Sequence, residues 1–205
     1  MPNQFEADAD PAWFVMFGNN SLSLTEQGIM NGSFETGSLQ GWTTAGDVRV
    51  LAQLDPLTPQ DGVYMAIMST GLGSINNSIS SMEQTLCVPA GMSKLEFRYN
   101  FISEEFKEWC GAGYQDYFLA TLIGNNSTAT FLNMNVDTLC ATVVPVSINF
   151  AGGDATTFMT GWQTAVVDVS AYAGSGVPIV LRLTVGDVGD SAYDTAVLID
   201  KVRIY

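Results

Sequence analysis

The segment Ser93-Lys94-Leu95-Glu96-Phe97-Arg98-Tyr99-Asn100-Phe101-Ile102-Ser103 alternates between large apolar and polar side chains. Successive side chains of a strand point to opposite faces, so this period of two predicts a half-buried antiparallel β-strand. Strand-like runs also occupy Val48–Leu54, Val63–Met68, Asp116–Ile123, Val143–Phe150, Trp162–Val169, Ile179–Val185 and Ala196–Tyr205. Turn-forming clusters separate the runs at Thr58–Gly62, Pro89–Gly91, Gly124–Ser127, Gly152–Asp154 and Gly174–Gly176. Many short strands with no helical segments between them predict an all-β fold, an antiparallel β-sandwich of the jelly-roll type.

Composition narrows the functions open to the chain. The 205 residues suffice for one large all-β domain or two small ones, and we favour a single domain at 29–205 preceded by an extension at 1–28. The 21 acidic and 7 basic residues give a net charge of −14, which repels nucleic acid and anionic membrane surfaces and attracts divalent cations. Histidine is absent from the sequence, which excludes a His-dependent triad and a zinc site with imidazole ligands.

No apolar run reaches the length of a membrane span, so membrane insertion is not expected. The start, Met1–Pro11, is polar and acidic rather than a secretory signal. We therefore expect either a module cut from a longer secreted protein or a chain exported without an N-terminal signal. In both cases the predicted location is extracellular or at the cell surface.

The three cysteines, Cys87, Cys110 and Cys140, have no metal-binding spacing. One disulfide plus one free thiol is compatible with this number. Cys110 lies in a Gly-rich loop and Cys140 lies near another loop, which favours that pair over the others.

An acidic stretch precedes and enters the last strand, Gly186-Asp-Val-Gly-Asp-Ser-Ala-Tyr-Asp-Thr-Ala-Val-Leu-Ile-Asp200. Its four carboxylates have no lysine or arginine between them, so their mutual repulsion favours an outside cation. Calcium accepts six to eight oxygen ligands at about 2.3–2.6 Å and tolerates irregular geometry. Gly186 and Gly189 permit the sharp turns that let ligands converge. The competing interpretation is a solvated acidic loop between two strands.

Several segments carry a resemblance to known families. Met30-Asn-Gly-Ser-Phe-Glu-Thr-Gly37 with Gly41-Trp42 resembles the first strand of galactose-binding-like jelly rolls, which include many carbohydrate-binding modules. Trp162–Gly174, Ile179–Val185 and Leu198–Ile204 resemble the last three strands of that fold. Three further segments resemble bacterial choice-of-anchor surface domains, namely Asn100–Phe106, Tyr114–Phe118 and Asp187–Val197.

The jelly-roll resemblance implies a structural calcium that ties the first strand to the last. It assigns Glu35 and Asp200 as ligands, with backbone carbonyls completing the shell. Neighbouring strands that face two carboxylates toward each other need such a cation. Otherwise Asp200 is a solvent-facing residue of an edge strand and Glu35 is a loop acid.

A second calcium site is predicted where the loop Ser103–Gly113 lies beside the loop after Gly186. Two loops at one end of a sandwich would bring five carboxylates together. The predicted ligands are Glu105, Asp116, Asp187, Asp190 and Asp194. Glu104 points to the opposite face from Glu105 if the chain is extended, so only one of the two is a metal ligand. The alternative for Glu104, Lys107 and Glu108 is a solvated surface turn.

Aromatic residues near this acidic cluster suggest a ligand site. Trp109 and Tyr114, with Glu104, are the predicted ligand-binding residues, because calcium beside an aromatic ring can receive a sugar or a peptide carboxylate. Trp42 and Trp162 are assigned to the core. The apolar run Trp13–Phe17 is either an extra strand or a strand offered to a neighbouring subunit.

Three classes of function follow. A glycosidase with paired carboxylates is disfavoured, because the acids cluster in loops like cation ligands and no Ser, Cys or Lys nucleophile has a base. The preferred hypothesis is a non-catalytic, calcium-dependent binding module of a bacterial surface protein or adhesin that recognises a glycan or peptide. The alternative is a structural subunit of an extracellular filament or surface layer, self-associating through Trp13–Phe17.

Overall fold

The computed structural model describes residues 28–72, 78–150, 156–189 and 192–205. Within these residues, the chain forms strands and short helical turns in a fixed order. They are β1 (Thr43–Ala45), β2 (Asp47–Leu51), β3 (Met65–Ser69), β4 (Ile79–Leu86), β5 (Lys94–Ser103), β6 (Tyr117–Ile123), β7 (Thr128–Asn135), helix α1 (Val136–Leu139), β8 (Val144–Val146), β9 (Thr157–Met159), β10 (Gln163–Asp168), a 3₁₀ turn (Ser170–Tyr172), β11 (Ile179–Gly186) and β12 (Thr195–Ile204).

The strands form two antiparallel sheets that face each other. The five-stranded sheet has the order β1-β4-β11-β6-β7. The seven-stranded sheet has the order β2-β3-β12-β5-β9-β8, and β10 also pairs with β5. The predicted antiparallel β-sandwich of the jelly-roll type is therefore confirmed.

The main core lies between the sheets and is built largely from aromatic side chains. Phe97, Tyr99 and Phe101 of β5 point into it, as the period of two predicts, and Phe118 of β6 meets them from the other sheet. The ring centroids of Tyr99 and Phe118 are 5.5 Å apart. Trp42 is buried in the same core and packs on Phe34, as expected for a structural tryptophan.

The outer face of the seven-stranded sheet carries a second apolar cluster. Its buried members are Met65, Ile67, Ile102, Val146, Ile148, Phe150, Ala196 and Leu198, and Trp162 packs against it partly buried. Because this cluster covers the second face, the prediction that Ser93–Ser103 is half-buried is wrong. β5 is buried on both faces, and even Asn100 is fully buried.

Met30–Gly37, expected to be the first strand, instead forms consecutive turns. Asn31, Phe34 and Gly37 have φ values of 49°, 60° and 66°, which an extended strand does not allow. The segment still lies against the last strand, since the N–H of Val202 donates to the carbonyl of Gly32 at 2.8 Å. The resemblance was correct about position and wrong about secondary structure.

Other boundaries also differ from the sequence-based expectation. Val143–Phe150 is a strand only at Val144–Val146, and β4, β7 and the short strands β1 and β9 were not predicted. The expectation of no helical segments is wrong, because α1 and the 3₁₀ turn interrupt the strands. Asn135 caps α1 by accepting a hydrogen bond from the N–H of Thr138 at 3.0 Å.

Some predictions fall outside the described residues: the apolar run Trp13–Phe17, the turn at Gly152–Asp154 and the carboxylate of Asp190. In the portions of the chain that are described, no helix is long and apolar enough to cross a membrane.

Candidate functional site

Strand pairing brings the two predicted loops to the same end of the sandwich. Thr195, the first residue of β12, pairs with Ser103, the last residue of β5. Gly186, the last residue of β11, pairs with Tyr117, the first residue of β6. The loops that follow Ser103 and Gly186 therefore leave their sheets side by side, and we call this region the acidic end.

Four carboxylates are buried at the acidic end. Glu105 and Asp116 have no exposed surface, Glu104 is 1% exposed and Asp194 is 3% exposed. The interpretation of Glu104 as part of a solvated turn is therefore wrong, whereas Lys107 and Glu108 are exposed as that interpretation requires. Charged side chains rarely lie this deep unless they are paired or bind a cation.

Backbone hydrogen bonds hold these carboxylates in place. The N–H of Asp194 donates to Oε2 of Glu104 at 3.3 Å, and the N–H of Asp116 donates to Oε2 of Glu105 at 3.4 Å. The N–H of Val188 donates to Oδ1 of Asp116 at 2.8 Å. Each bond joins one loop segment to another, so the acids cross-link the acidic end.

Burial raises the pKa of Asp116 to about 7. The nearby charge of Asp187 raises this pKa further, while hydrogen bonds with Thr195, Val188 and Glu105 oppose the rise. A cation close to this carboxylate would favour the charged form and lower the pKa.

Asp194 sits in a pocket that the sequence did not reveal. Its Oδ1 accepts a hydrogen bond from the hydroxyl of Thr70 at 3.0 Å, and Thr70 Oγ1 also accepts one from the N–H of Thr195 at 2.9 Å. Gly71 is adjacent, and a Cβ at this position would overlap the carboxylate of Asp194. The carboxylate is thus held by contacts from β3's end as well as from β12.

Three aromatic rings lie together beside the acids. The ring of Trp109 meets Tyr114 edge to face, with centroids 5.3 Å apart, and lies 5.7 Å from the ring of Tyr193. All three side chains are half-buried. The prediction named Trp109 and Tyr114 but missed Tyr193, although it stands within the acidic stretch next to Asp194. We call these residues the aromatic trio.

A disulfide anchors the loop that carries Trp109. Cys110 and Cys140 are bonded, and Cys87 is a buried free cysteine, so the predicted pairing is confirmed. Asp137 of α1 adds two contacts, because its carboxylate accepts hydrogen bonds from the N–H of Gly111 and the amide of Gln115, both at 2.7 Å.

The other two predicted calcium ligands, Glu35 and Asp200, lie apart from the acidic end. Asp200 belongs to β12, roughly 17 Å along the strand from Thr195 at about 3.3 Å per residue, and Glu35 lies in the turns of residues 30–37. Asp200 is fully buried, not solvent-facing, and accepts hydrogen bonds from the N–H groups of Gln60, Asp61 and Lys201 at 2.6, 2.9 and 2.6 Å. Burial raises the pKa of Asp200, and these three backbone hydrogen bonds oppose the rise.

Glu35 is exposed and accepts hydrogen bonds from the N–H groups of Val63 and Tyr64, both at 2.9 Å to Oε1. Backbone N–H groups of the same loop therefore satisfy both carboxylates. Calcium between Glu35 and Asp200 stays a prediction.

The donor chemistry of the acidic end fits calcium. Every side chain named there as a predicted metal ligand offers carboxylate oxygen, which is the ligand that calcium prefers. Across the described ranges, however, no three Asp, Glu or Cys side chains converge closely enough to hold a metal ion. The acidic end therefore offers the oxygen ligands that calcium prefers, but they do not converge on one point in this structure.

Comparisons with known proteins identify the fold. No protein-family model matches the sequence, and no curated protein matches it. Among solved structures, a carbohydrate-binding module specific for non-crystalline cellulose, CBM28, matches with a TM-score of 0.51 and 13% identity, over 86% of this chain and 93% of that one.

A family 61 module, TmCBM61, in complex with β-1,4-galactotriose matches with a TM-score of 0.50 and 14% identity, over 86% of this chain and 96% of that one. The K2 cleaved adhesin domain of Lys-gingipain matches with a TM-score of 0.46 and 17% identity, over 80% and 88% of the two chains. The two matches with TM-scores of 0.50 and 0.51 confirm, for the fold, the expected likeness to jelly rolls of the carbohydrate-binding-module type.

Proposed function

We propose that this chain is a non-catalytic, calcium-dependent binding module of an extracellular surface protein or adhesin, which recognises a glycan at its acidic end. The observation that carries the proposal is the aromatic trio, which lies half-exposed directly beside four buried carboxylates. Aromatic faces pack well against the apolar face of a sugar ring, and neighbouring polar groups orient its hydroxyls.

The loop geometry supports a ligand site on a rigid base. The loop carrying Trp109 is fixed by the disulfide to Cys140 and by the hydrogen bonds of Asp137. The loop carrying Tyr193 is fixed by the contacts of Asp194 with Thr70. Binding residues on loops held by a rigid sandwich are a common arrangement, and pre-ordering the loops lowers the entropic cost of binding.

Calcium is part of the proposal. The residues that would hold it are Glu105, Asp116, Asp187 and Asp194, whose carboxylates all belong to the acidic end, and binding would have to draw them closer together. A bound calcium would supply positive charge to these carboxylates and order the loops that carry the aromatic trio.

Two observations support the remaining parts of the proposal: the structural neighbours support a non-catalytic role, and the disulfide supports an extracellular location. The structural neighbours with TM-scores of 0.50 and 0.51 are described as carbohydrate-binding modules, which bind sugars. The Cys110–Cys140 disulfide is typical of proteins that fold in an oxidising compartment. A peptide ligand is the alternative to a glycan.

A glycan and peptide array tests the proposal. The parent should bind one class of glycans in calcium, and binding should fall at least tenfold with Trp109→Ala and with a chelator. The matched control is Trp162→Phe, which alters a tryptophan of the outer cluster and should bind like the parent. Binding that survives both chelation and Trp109→Ala would move the site elsewhere, and binding to peptides alone would replace the glycan.

Thermal melting tests the calcium component by itself. A ligand that binds only the folded state stabilises it by RT ln(1 + [L]/Kd), which is about 2.7 kcal/mol at a hundredfold excess over Kd. Millimolar calcium should therefore raise the melting temperature of the parent relative to the chelated protein. An unchanged melting temperature would remove calcium from the proposal and leave the aromatic trio as the binding surface.

A further inference from the structure

A crevice opens between the two sheets, away from the acidic end. It has a volume of about 250 Å³ and is lined by Tyr99, Met134, Leu139, Thr142, Thr160 and Gln163. Met134 belongs to β7 and Gln163 belongs to β10, which are the outer strands on this side of the sandwich. Tyr99 stands four residues before Ser103, so the crevice lies roughly 13 Å along β5 from the acidic end.

The floor of the crevice holds a tyrosine. Tyr99 is 6% exposed, and its ring packs against Phe97 and Phe118 at centroid distances of 5.9 and 5.5 Å. Among the described residues, no group forms a hydrogen bond with its hydroxyl, and burial raises the pKa of Tyr99. The hydroxyl is not sealed from solvent, so it is available to donate to or accept from a group that enters the crevice.

The rest of the lining defines the chemistry of that partner. Gln163 pairs directly with Tyr99 across the two strands, so both side chains point to the same face. Its Nε2 donates to the carbonyl of Thr160 at 3.1 Å, which orients the amide oxygen of Gln163 as an acceptor. Met134 and Leu139 form the apolar wall. None of the lining residues carries a charge, so the site favours a neutral ligand.

We infer that this crevice is a second binding site, which takes one ring of a neutral saccharide. A sugar ring offers hydroxyls at its edge for Tyr99 and Gln163, and C–H groups on its faces for Met134 and Leu139. The volume suits a single ring rather than an oligosaccharide, since pockets for larger ligands start at about 300 Å³. The inference rests on the proposed function for its ligand class, but its residues are separate from the aromatic trio.

The test is a nuclear magnetic resonance titration of the whole chain with the methyl glycosides of galactose, glucose, mannose and xylose. At least one should cause saturable shifts of the Gln163 side-chain amide and the Thr160 backbone amide. Tyr99→Phe removes one oxygen atom and keeps the packed ring, and it should weaken this binding at least tenfold. Gln163→Ala alters an exposed side chain, so it provides the same test if Tyr99→Phe lowers the melting temperature.

Trp109→Ala separates the crevice from the acidic end. It should leave the shifts at Gln163 and Thr160 unchanged, even if it abolishes binding on the array. Three results would each overturn the inference. The first is loss of the crevice signals in Trp109→Ala, and the second is an affinity equal to that of the parent in both Tyr99→Phe and Gln163→Ala. The third is the absence of a saturable shift with any of the glycosides. Shifts caused by N-acetylphenylalanine amide but by none of the glycosides would overturn the saccharide class.

Discussion

The carboxylate of Asp194 fills the space that a side chain at residue 71 would occupy, so the two residues fit together only because residue 71 is glycine. Gly71 follows Thr70, whose hydroxyl donates to the same carboxylate at 3.0 Å. Thr70 and Gly71, which follow β3, therefore form a socket for Asp194. Asp194 is the last residue of the acidic end before β12 begins at Thr195.

Gly71→Ala should displace Asp194 and destabilise the fold by about 1–3 kcal/mol, the usual cost of overpacking a buried position. Chemical denaturation measures the change in the free energy of unfolding. Gly28→Ala is the matched control, because a Cβ there meets only an ordinary contact of 3.7 Å with Pro89. Equal unfolding midpoints for Gly71→Ala and the parent would contradict the socket.

Stability in a chelator should fall as the pH rises from about 4 to about 7. In this window Asp116 is protonated in the folded protein, where its pKa is about 7, but ionised in the unfolded chain, where it titrates near 4. The unfolded state thus binds fewer protons, so the free energy of unfolding decreases with pH.

Asp116→Asn should flatten this pH dependence, and urea denaturation at several pH values measures the slope. Glu108→Gln is a control, since the Glu108 side chain is exposed. A parent slope that Asp116→Asn leaves unchanged would assign the titration to another group.

Asp200→Ala should destabilise the fold by about 2–4 kcal/mol even in a chelator. The substitution removes the acceptor of the N–H groups of Gln60, Asp61 and Lys201, and each group left unsatisfied away from water costs about 1–3 kcal/mol. The total stays below the sum for three groups, because Gln60 and Asp61 are exposed and water can reach their N–H groups. Glu108→Ala removes an exposed acid and should change stability by less than about 0.5 kcal/mol. A loss that appears only in calcium would favour the predicted calcium tie between Glu35 and Asp200.

Replacing Cys110 and Cys140 together by serine should lower stability by about 3–4 kcal/mol in the chain-entropy description, given their sequence separation of 30 residues. The double variant should also weaken glycan binding, because the disulfide holds the loop of Trp109. A reducing agent should reproduce both effects in the parent and change nothing in the double variant. Unchanged stability and binding in the double variant would contradict an anchoring role.

The period of two predicted the strands whose core faces are uniformly apolar, such as β5, β11 and β12. It missed β4, because Ser80 and Gln84 point inward there and look like loop residues. Both side chains form hydrogen bonds in the structure. The hydroxyl of Ser80 donates to the carbonyl of Ser69 at 2.6 Å, and the amide of Gln84 donates to the carbonyl of Met30 at 2.9 Å. Such partners are distant in sequence, so no local pattern reveals them.

For the sites too, the sequence reveals local clusters but not contacts between residues that are distant in the chain. Glu105, Asp116 and Asp194 could be grouped from the sequence, because both loops follow strands that end at the same side of a sandwich. Thr70 and Gly71 could not, since the contact with Asp194 spans 124 residues for Thr70 and carries no composition signal. Tyr99 was predicted as a core residue, and only the position of β10 beside it reveals the crevice.

The place of β12 has a consequence for how the protein is made. This strand lies between β3 and β5 in the seven-stranded sheet, yet its residues leave the ribosome after all the others named here. Until residues 195–204 have been translated, β3 and β5 lack their shared neighbour and their apolar faces stay open to water. We therefore expect the nascent chain to need protection from aggregation by a chaperone until β12 inserts between β3 and β5.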